Sequence, residues 1–245
     1  MADIRDAWRA KSWDEMAREN ALAAIMTTPE MMASADMSQE RLQAFFDRGR
    51  ELYERYVKPL APPEGMLVEY GCGAGRILRA VCDDGRACAG VDISPTMIEL
   101  CRQFVPEAEA HVLQAGRSGL PDACASMVYS NAVVQHIQRL SDYVAAFDEM
   151  CRLLAPGGVL HVQVSTDDFL HGFDNPGRAE NHETYSIHYP PGGQPYRRDQ
   201  DNWNGVCIDH DALQQIVEAR GLVFEGWRSY KAKPTRVIWL KARRP

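Results

Sequence analysis

Basic residues are in short supply: 27 Lys and Arg against 34 Asp and Glu leave the 245-residue chain a formal net charge of −7. A surface that neutralises a phosphate backbone needs clustered Lys and Arg, so nucleic acid is not expected as a partner, and small molecules or proteins are favoured. Long apolar runs are missing too. No stretch approaches the roughly 20 residues that cross a bilayer, and the opening MADIRDAWRAKSWDEMAREN is charged throughout, with no signal-peptide core. The expectation is a cytoplasmic protein with no membrane partner. The seven cysteines stand singly, without a CxxC pair, which reads as small core residues in a reducing compartment. Neither HExxH nor HxxxH spacing occurs, so no metal is expected. Internal repeats are absent as well.

With 45% hydrophobic and 25% charged residues, the composition is that of an ordinary globular protein with one catalytic-size core. Residues 1–60 read as an N-terminal helical cap or lid: Ile4 to Met26 and Ser38 to Val57 carry helical patterns, and KPLAPPEG ends the second because Pro59, Pro62 and Pro63 cannot continue it. Residues 61–245 read as the core, with an irregular insertion at 167–206. After Gly65 the chain alternates strand-like runs (MLVEY, ACAGVD, AHVLQ, SMVYSN, VLHVQVS) with helices over Gly75–Cys82, Pro95–Phe104 and Ser141–Leu154. Such alternation builds right-handed βαβ units and a doubly wound, mostly parallel α/β sheet. Ser94 followed by Pro95 is a helix N-cap, and APGG at 155–158 is a stop and turn. Asp209 caps a last helix that Gly221 ends. LVFEGWRSY and RVIWLKA then face each other across KAKPT as an antiparallel hairpin.

Three glycines, Gly71, Gly73 and Gly75, crowd the end of the first strand in VEYGCGAGRIL. In an open parallel sheet, ligands sit outside the carboxyl ends of the strands. Bare backbone there turns tightly and lets a ligand approach main-chain N–H groups, with helix-end potential added. Asp92 closes the second strand close to the roughly 20-residue spacing at which a carboxylate meets ribose hydroxyls. A dinucleotide fingerprint needs GxGxxG, whereas the third glycine arrives one residue early and Arg76 stands in its place. Glu69, just ahead of the loop, would face a pyrophosphate unfavourably but suits an ammonium or sulfonium.

The motifs EYGCGAGR, GVDISPTMIEL, YSNAVVQHI and RLLAPGGVLHVQV, in that order over about Met66 to Ser165, resemble those of class I S-adenosylmethionine (SAM)-dependent methyltransferases. The resemblance implies a Rossmann-like seven-stranded sheet whose sixth and seventh strands form the terminal hairpin. It implies SAM as cofactor and S-adenosylhomocysteine (SAH) as product. Gly71, Cys72 and Gly73 would hold the methionine and ribose portions, Asp92 the ribose hydroxyls, and Ile93 and Met97 the adenine. The family often has Gly-Asp where this chain has Ala115 and Gly116. Adenine would therefore depend on main-chain groups near Gly116 and Arg117, or on a water.

Methyl transfer from a sulfonium is an in-line displacement that positioning and water exclusion promote, and a base is needed only when the acceptor arrives protonated. His136, past the fourth strand, is the candidate base, with a structural His under the cofactor as the alternative. Asn131, at the same strand end, would meet the methionine amine or carboxylate. His182, Tyr185 and Trp203 in the insertion are candidate acceptor contacts, since loops on a rigid scaffold commonly carry recognition. The reading is transfer to O, N or S of a small-molecule acceptor. Its rivals are a nucleic-acid or protein methyltransferase, a catalytically silent SAM-binding module and a nucleotide-dependent oxidoreductase. The sequence leaves the oligomeric state open.

Overall fold

The computed structural model describes residues 4–25, 37–137, 139–165, 178–180, 186–188, 210–228 and 237–245. Among the described residues, the first elements are α1 (Ile4–Ile25), kinked at Asn20 where φ is −160° and ψ 86°, and α2 (Gln39–Leu52), which runs on through a wider turn over Tyr53–Val57. The core then follows as β1 (Met66–Tyr70), α3 (Leu78–Asp83), β2 (Cys88–Asp92), α4 (Pro95–Phe104), β3 (Glu109–Val112) and β4 (Ala125–Ser130). After these come α5 (Leu140–Leu153), β5 (Leu154–Ser165), two short strands β6 (Arg178–Glu180) and β7 (Ser186–His188), α6 (His210–Glu218), β8 (Val223–Arg228) and β9 (Val237–Arg243).

Seven strands make one sheet in the order β3-β2-β1-β4-β5-β9-β8, while β6 and β7 pair with each other. The β1, β2, β3, β4 and β5 pairings are parallel, and β9 runs antiparallel to both β5 and β8. The expected doubly wound sheet and terminal hairpin are therefore observed. Strand order reverses between β1 and β4, which opens the crevice where such folds bind ligands. β1 and β4 bury nearly every residue, as central strands covered on both faces must. One core cluster joins the sheet to α5 and α6 through Phe147, Met150, Leu213 and Ile216. A second, on the opposite face, joins it to α3, α4 and the turn after α2 through Tyr53, Leu78, Ile98 and Val105.

Two local expectations shift. The helix expected from Gly75 begins at Leu78, because Gly75 has φ +84° and belongs to the preceding turn rather than to a helix. APGG follows the end of α5 at Leu153 as expected, but the strand expected from Val159 already begins at Leu154 and takes APGG in as an irregularity, with Leu154 opposite Ala125, Val159 opposite Met127 and Gly157 at φ +77°. Ser94 does cap α4: its Oγ accepts from Met97 N at 3.2 Å, with Pro95 at the first helical position. Asp209 and most of the 167–206 insertion lie outside the described residues.

Candidate functional site

The backbone leaves β1 still hydrogen-bonded to β2, Gly71 N and Cys72 N both donating to Val91 O at 2.7 and 3.1 Å. Gly71, Gly73 and Gly75 then take φ of +79°, +53° and +84°, the left-handed conformations that favour glycine. Packing also demands their bareness. A Cβ on Gly71 would stand 2.2 Å from Val133 Cγ2, and one on Gly75 2.8 Å from Val105 Cγ2. Room beside these two glycines is thus used by the protein's own side chains. Gly73 faces Asp92, donating its N–H to Oδ2 at 2.9 Å. Cys72 points beneath the loop, buried, its Sγ where a Cβ on Gly90 would lie only 2.6 Å away.

Asp92 is half-buried at the tip of β2. Its Oδ1 accepts Ser94 N at 2.9 Å, so both oxygens are oriented by main chain. Burial raises its pKa; the N–H groups of Ser94, Gly73 and Ile93 oppose the rise, and the negative charge of Asp14 adds to it. Glu69 lies in β1, buried, and accepts a hydrogen bond from Tyr129 Oη at 3.3 Å. Burial pushes its carboxyl well above the ordinary carboxylate range against the pull of the Arg76 guanidinium. Arg76, itself buried, is lowered to about 10 chiefly by desolvation and stays cationic at neutral pH.

The N-terminal helices cover this corner. Gly49 of α2 rides so close to the loop that a Cβ there would meet Arg76 O at 1.8 Å. Ala17, Ala21 and Leu22 of α1 pack with Phe45, Ala74 and Met97. Met97 is thus in contact with the helical cap, while Ile93 stays half-buried beside Asp92. Asp14, 4% exposed, reaches across from α1: its Oδ1 accepts Ser94 Oγ and Thr96 N, both at 2.8 Å. Those donors hold its carboxyl below the usual range even though burial, the largest influence, acts in the other direction. Sequence patterning gave no sign of this contact between residues 80 positions apart.

Beyond β3 the chain forms a tight turn in which Gln114 and Arg117 exchange backbone hydrogen bonds of 2.9 and 3.0 Å across Ala115 and Gly116, whose φ values are +49° and +78°. Leu113 N donates to Asp92 O at 2.8 Å, which sets the turn next to the carboxylate. Glu149 of α5 anchors it from below, accepting from Ser118 N, Ser118 Oγ and Arg117 Nη1 at 2.8, 2.6 and 3.1 Å. Gly116 is exposed, with open space where a Cβ would be.

At the tip of β4, Asn131 is half-buried and Ala132 takes φ +59°; a single 3₁₀ turn over Val134–His136 follows. The His136 ring meets Trp13 of α1 edge-on, with centroids 5.6 Å apart, and its Nε2 lies 3.4 Å from Gln135 Nε2. The structure thus brings Gly71, Cys72, Gly73, Gly75, Asp92, Ile93, Gly116, Arg117, Asn131 and His136 to the carboxyl ends of β1 to β4, with Glu69 beneath them. The candidate acceptor contacts His182, Tyr185 and Trp203 lie outside the described residues.

Residues 68–162 match the family described as a methyltransferase domain. A trans-aconitate 2-methyltransferase from Methylobacterium radiotolerans is 34% identical over 109 residues, 43% of this chain and 40% of that protein. A malonyl-[acyl-carrier protein] O-methyltransferase from Serratia marcescens is 34% identical over 100 residues, 40% of this chain and 37% of that protein. The matched segment thus spans about two fifths of the length of these curated relatives. A solved SAM-dependent methyltransferase from Methanosarcina mazei shares the fold, with a TM-score of 0.58 at 14% identity over 77% of this chain and 96% of that one. Residues 68–162 thus match a methyltransferase domain, and the sheet around them shares the fold of the solved methyltransferase.

Proposed function

We propose that this protein transfers the methyl group of SAM to an oxygen, nitrogen or sulfur of a small-molecule acceptor and releases SAH. The observation that carries the reading is the clasp at the switch point, where the Gly73 N–H and the Asp92 carboxylate close on each other from adjoining strand tips. The residues present fit the cofactor. Asp92 presents its carboxylate at the β2 tip to a ribose diol, and Glu69 lies buried beneath the glycine loop. Bound SAM supplies an activated methyl on a sulfonium.

The chain's own part is positioning and exclusion of water. Asp92 and Gly73 orient the adenosyl half, with Ile93 beside it and the Ala115–Gly116 turn next to the base. Asn131 and His136 stand at the β4 tip, where an acceptor would meet the methyl, and His136 takes a proton from an acceptor that arrives protonated. Helix α1 acts as a lid, since Trp13 touches His136 and Asp14 grips the start of α4. The net charge of −7 and the acceptors named for the two relatives favour a small molecule over RNA or DNA.

Titration calorimetry with SAH, with NADH in a parallel cell, tests the binding reading. SAH binds the wild type, and Asp92→Ala weakens it by about 1–3 kcal/mol as the ribose hydroxyls lose a charged acceptor. Heat with NADH and none with SAH would refute it. Turnover is sought with labelled SAM against trans-aconitate, other small carboxylic acids, malonyl-carrier protein and bulk tRNA. Label in tRNA alone would overturn the small-molecule assignment. Binding without label on any acceptor would support the silent module instead. With an acceptor in hand, His136→Ala lowers kcat and spares SAH affinity if His136 is the base.

A further inference from the structure

At the amino-terminal edge of the sheet, away from the crevice, two cysteines meet. Cys82 lies in α3 and Cys88 opens β2, joined by a short turn in which Gly85 takes φ +72° and donates to Cys82 O at 2.8 Å. Their Sγ atoms are 2.9 Å apart. A disulfide bond is about 2.05 Å long, so less than about 1 Å of approach separates this pair from a covalent link. The two are unequal. Cys88 is 4% exposed, whereas Cys82 is half-buried and reachable from solvent.

The contact also divides the proton between them. The contact with Cys88, with the Arg79 guanidinium nearby, favours thiolate at Cys82 against its burial and the charges of Glu107 and Asp83. The same contact and burial push the Cys88 thiol up. A half-buried sulfur that favours the thiolate next to a fully buried thiol is the arrangement of an attacking and a resolving thiol. Cys72 and Cys101, under the glycine loop, are both buried and lack such a half-buried member.

We propose that Cys82 and Cys88 form a reversible dithiol–disulfide site that takes a low-molecular-weight disulfide such as oxidised glutathione as co-reactant. The Cys82 thiolate attacks one sulfur of that disulfide and expels one glutathione thiolate, leaving a mixed disulfide. Cys88 then loses its proton and attacks the Cys82 sulfur, expelling the second glutathione. Two protein thiols are oxidised, one glutathione disulfide is reduced to two thiols, and the Cys88 proton goes to the departing thiolate. The site does not depend on methyl transfer, because the length of β2 separates it from Asp92.

The test incubates the full-length protein with excess oxidised glutathione, alkylates remaining thiols under denaturing conditions and maps the peptides. Expected is a Cys82–Cys88 link with a mass lower by two hydrogen atoms and reversed by dithiothreitol. The linked protein should melt roughly 5 °C higher, from closure of a short loop. In Cys88→Ser, Cys82 should be trapped carrying one glutathione, and in Cys82→Ser, Cys88 should stay alkylatable. Both cysteines still free in the oxidised wild type would overturn the proposal, as would a link joining either one to a different cysteine. Should a variant fail to fold, the wild-type map decides alone.

Discussion

Replacing Glu149 by Gln should cost stability at neutral pH and progressively less in acid. Glu149 has no solvent exposure and collects donors from Ser118, Arg117 and Arg152, the last through Nε at 2.8 Å and Nη2 at 2.6 Å. Burial raises its pKa, but these donors together outweigh burial and hold the carboxyl at about 2 instead of 4.5. Because the folded value is depressed, the stabilisation is present above the unfolded value and disappears as pH falls from about 5 towards 2. At 1.36 kcal/mol per pKa unit this amounts to about 3 kcal/mol at pH 7, falling to roughly half or less near pH 3. Urea melts of wild type and Glu149→Gln at pH 7 and pH 3 measure it. The gap between the two proteins should narrow by more than about 1 kcal/mol. A gap that is the same at both pH values would show that shape and hydrogen-bond count, rather than charge, set the cost.

Two further substitutions probe how the N-terminal helices are seated. Gly49→Ala drives a Cβ to 1.8 Å from the Arg76 carbonyl, a backbone atom that cannot swing away, so α2 must lift from the glycine loop. A loss of about 1–3 kcal/mol in thermal or urea unfolding is expected, with weaker SAH binding alongside, and an unchanged melt would show that α2 seats differently. Asp14→Ala removes the acceptor for Ser94 Oγ and Thr96 N; two hydrogen bonds to a charged group should loosen α1 by about 1.5–3 kcal/mol. Hydrogen exchange should rise over residues 13–25 while the β1–β5 amides keep their protection. Equal protection of α1 in the variant would remove Asp14 as its anchor.

The βαβ order was legible because each strand is a short apolar run bounded by a turn residue, and buried parallel strands have no other way to be written. Ser94 and Pro95 were legible for a related reason, since capping is a local act between residues three apart. The start of α3 was not, because helical periodicity ignores the φ that a glycine adopts, and Gly75 spends its freedom on the turn. APGG does follow the end of α5, but the strand starts before it instead of after it. Its residues do turn, but Val159 rejoins the ladder opposite Met127, and pairing between distant strands decides that outcome.

The candidate site was legible as neighbouring strand ends and not as a set of causes. Freedom from side chains at Gly71 and Gly75 suggested space for a ligand, yet the nearest atoms to the missing Cβ groups belong to Val133 and Val105. These two glycines let the β4 tip and the end of α4 close on the loop. Asp14 and Glu149 escaped notice because an acid in a helix is ordinarily a solvated charge; only the fold shows that one meets Ser94 at the start of α4 and the other the Ser118 backbone, 80 and 31 residues away. Both carboxylates hold main chain that flanks Asp92: Asp14 through Ser94 and Thr96, Glu149 through the turn that follows Leu113. An adenosyl ligand gripped there would therefore meet a rim whose position is set by two buried charges, neither of which need touch it. Substituting either acid should then weaken SAH binding without changing the groups that contact it.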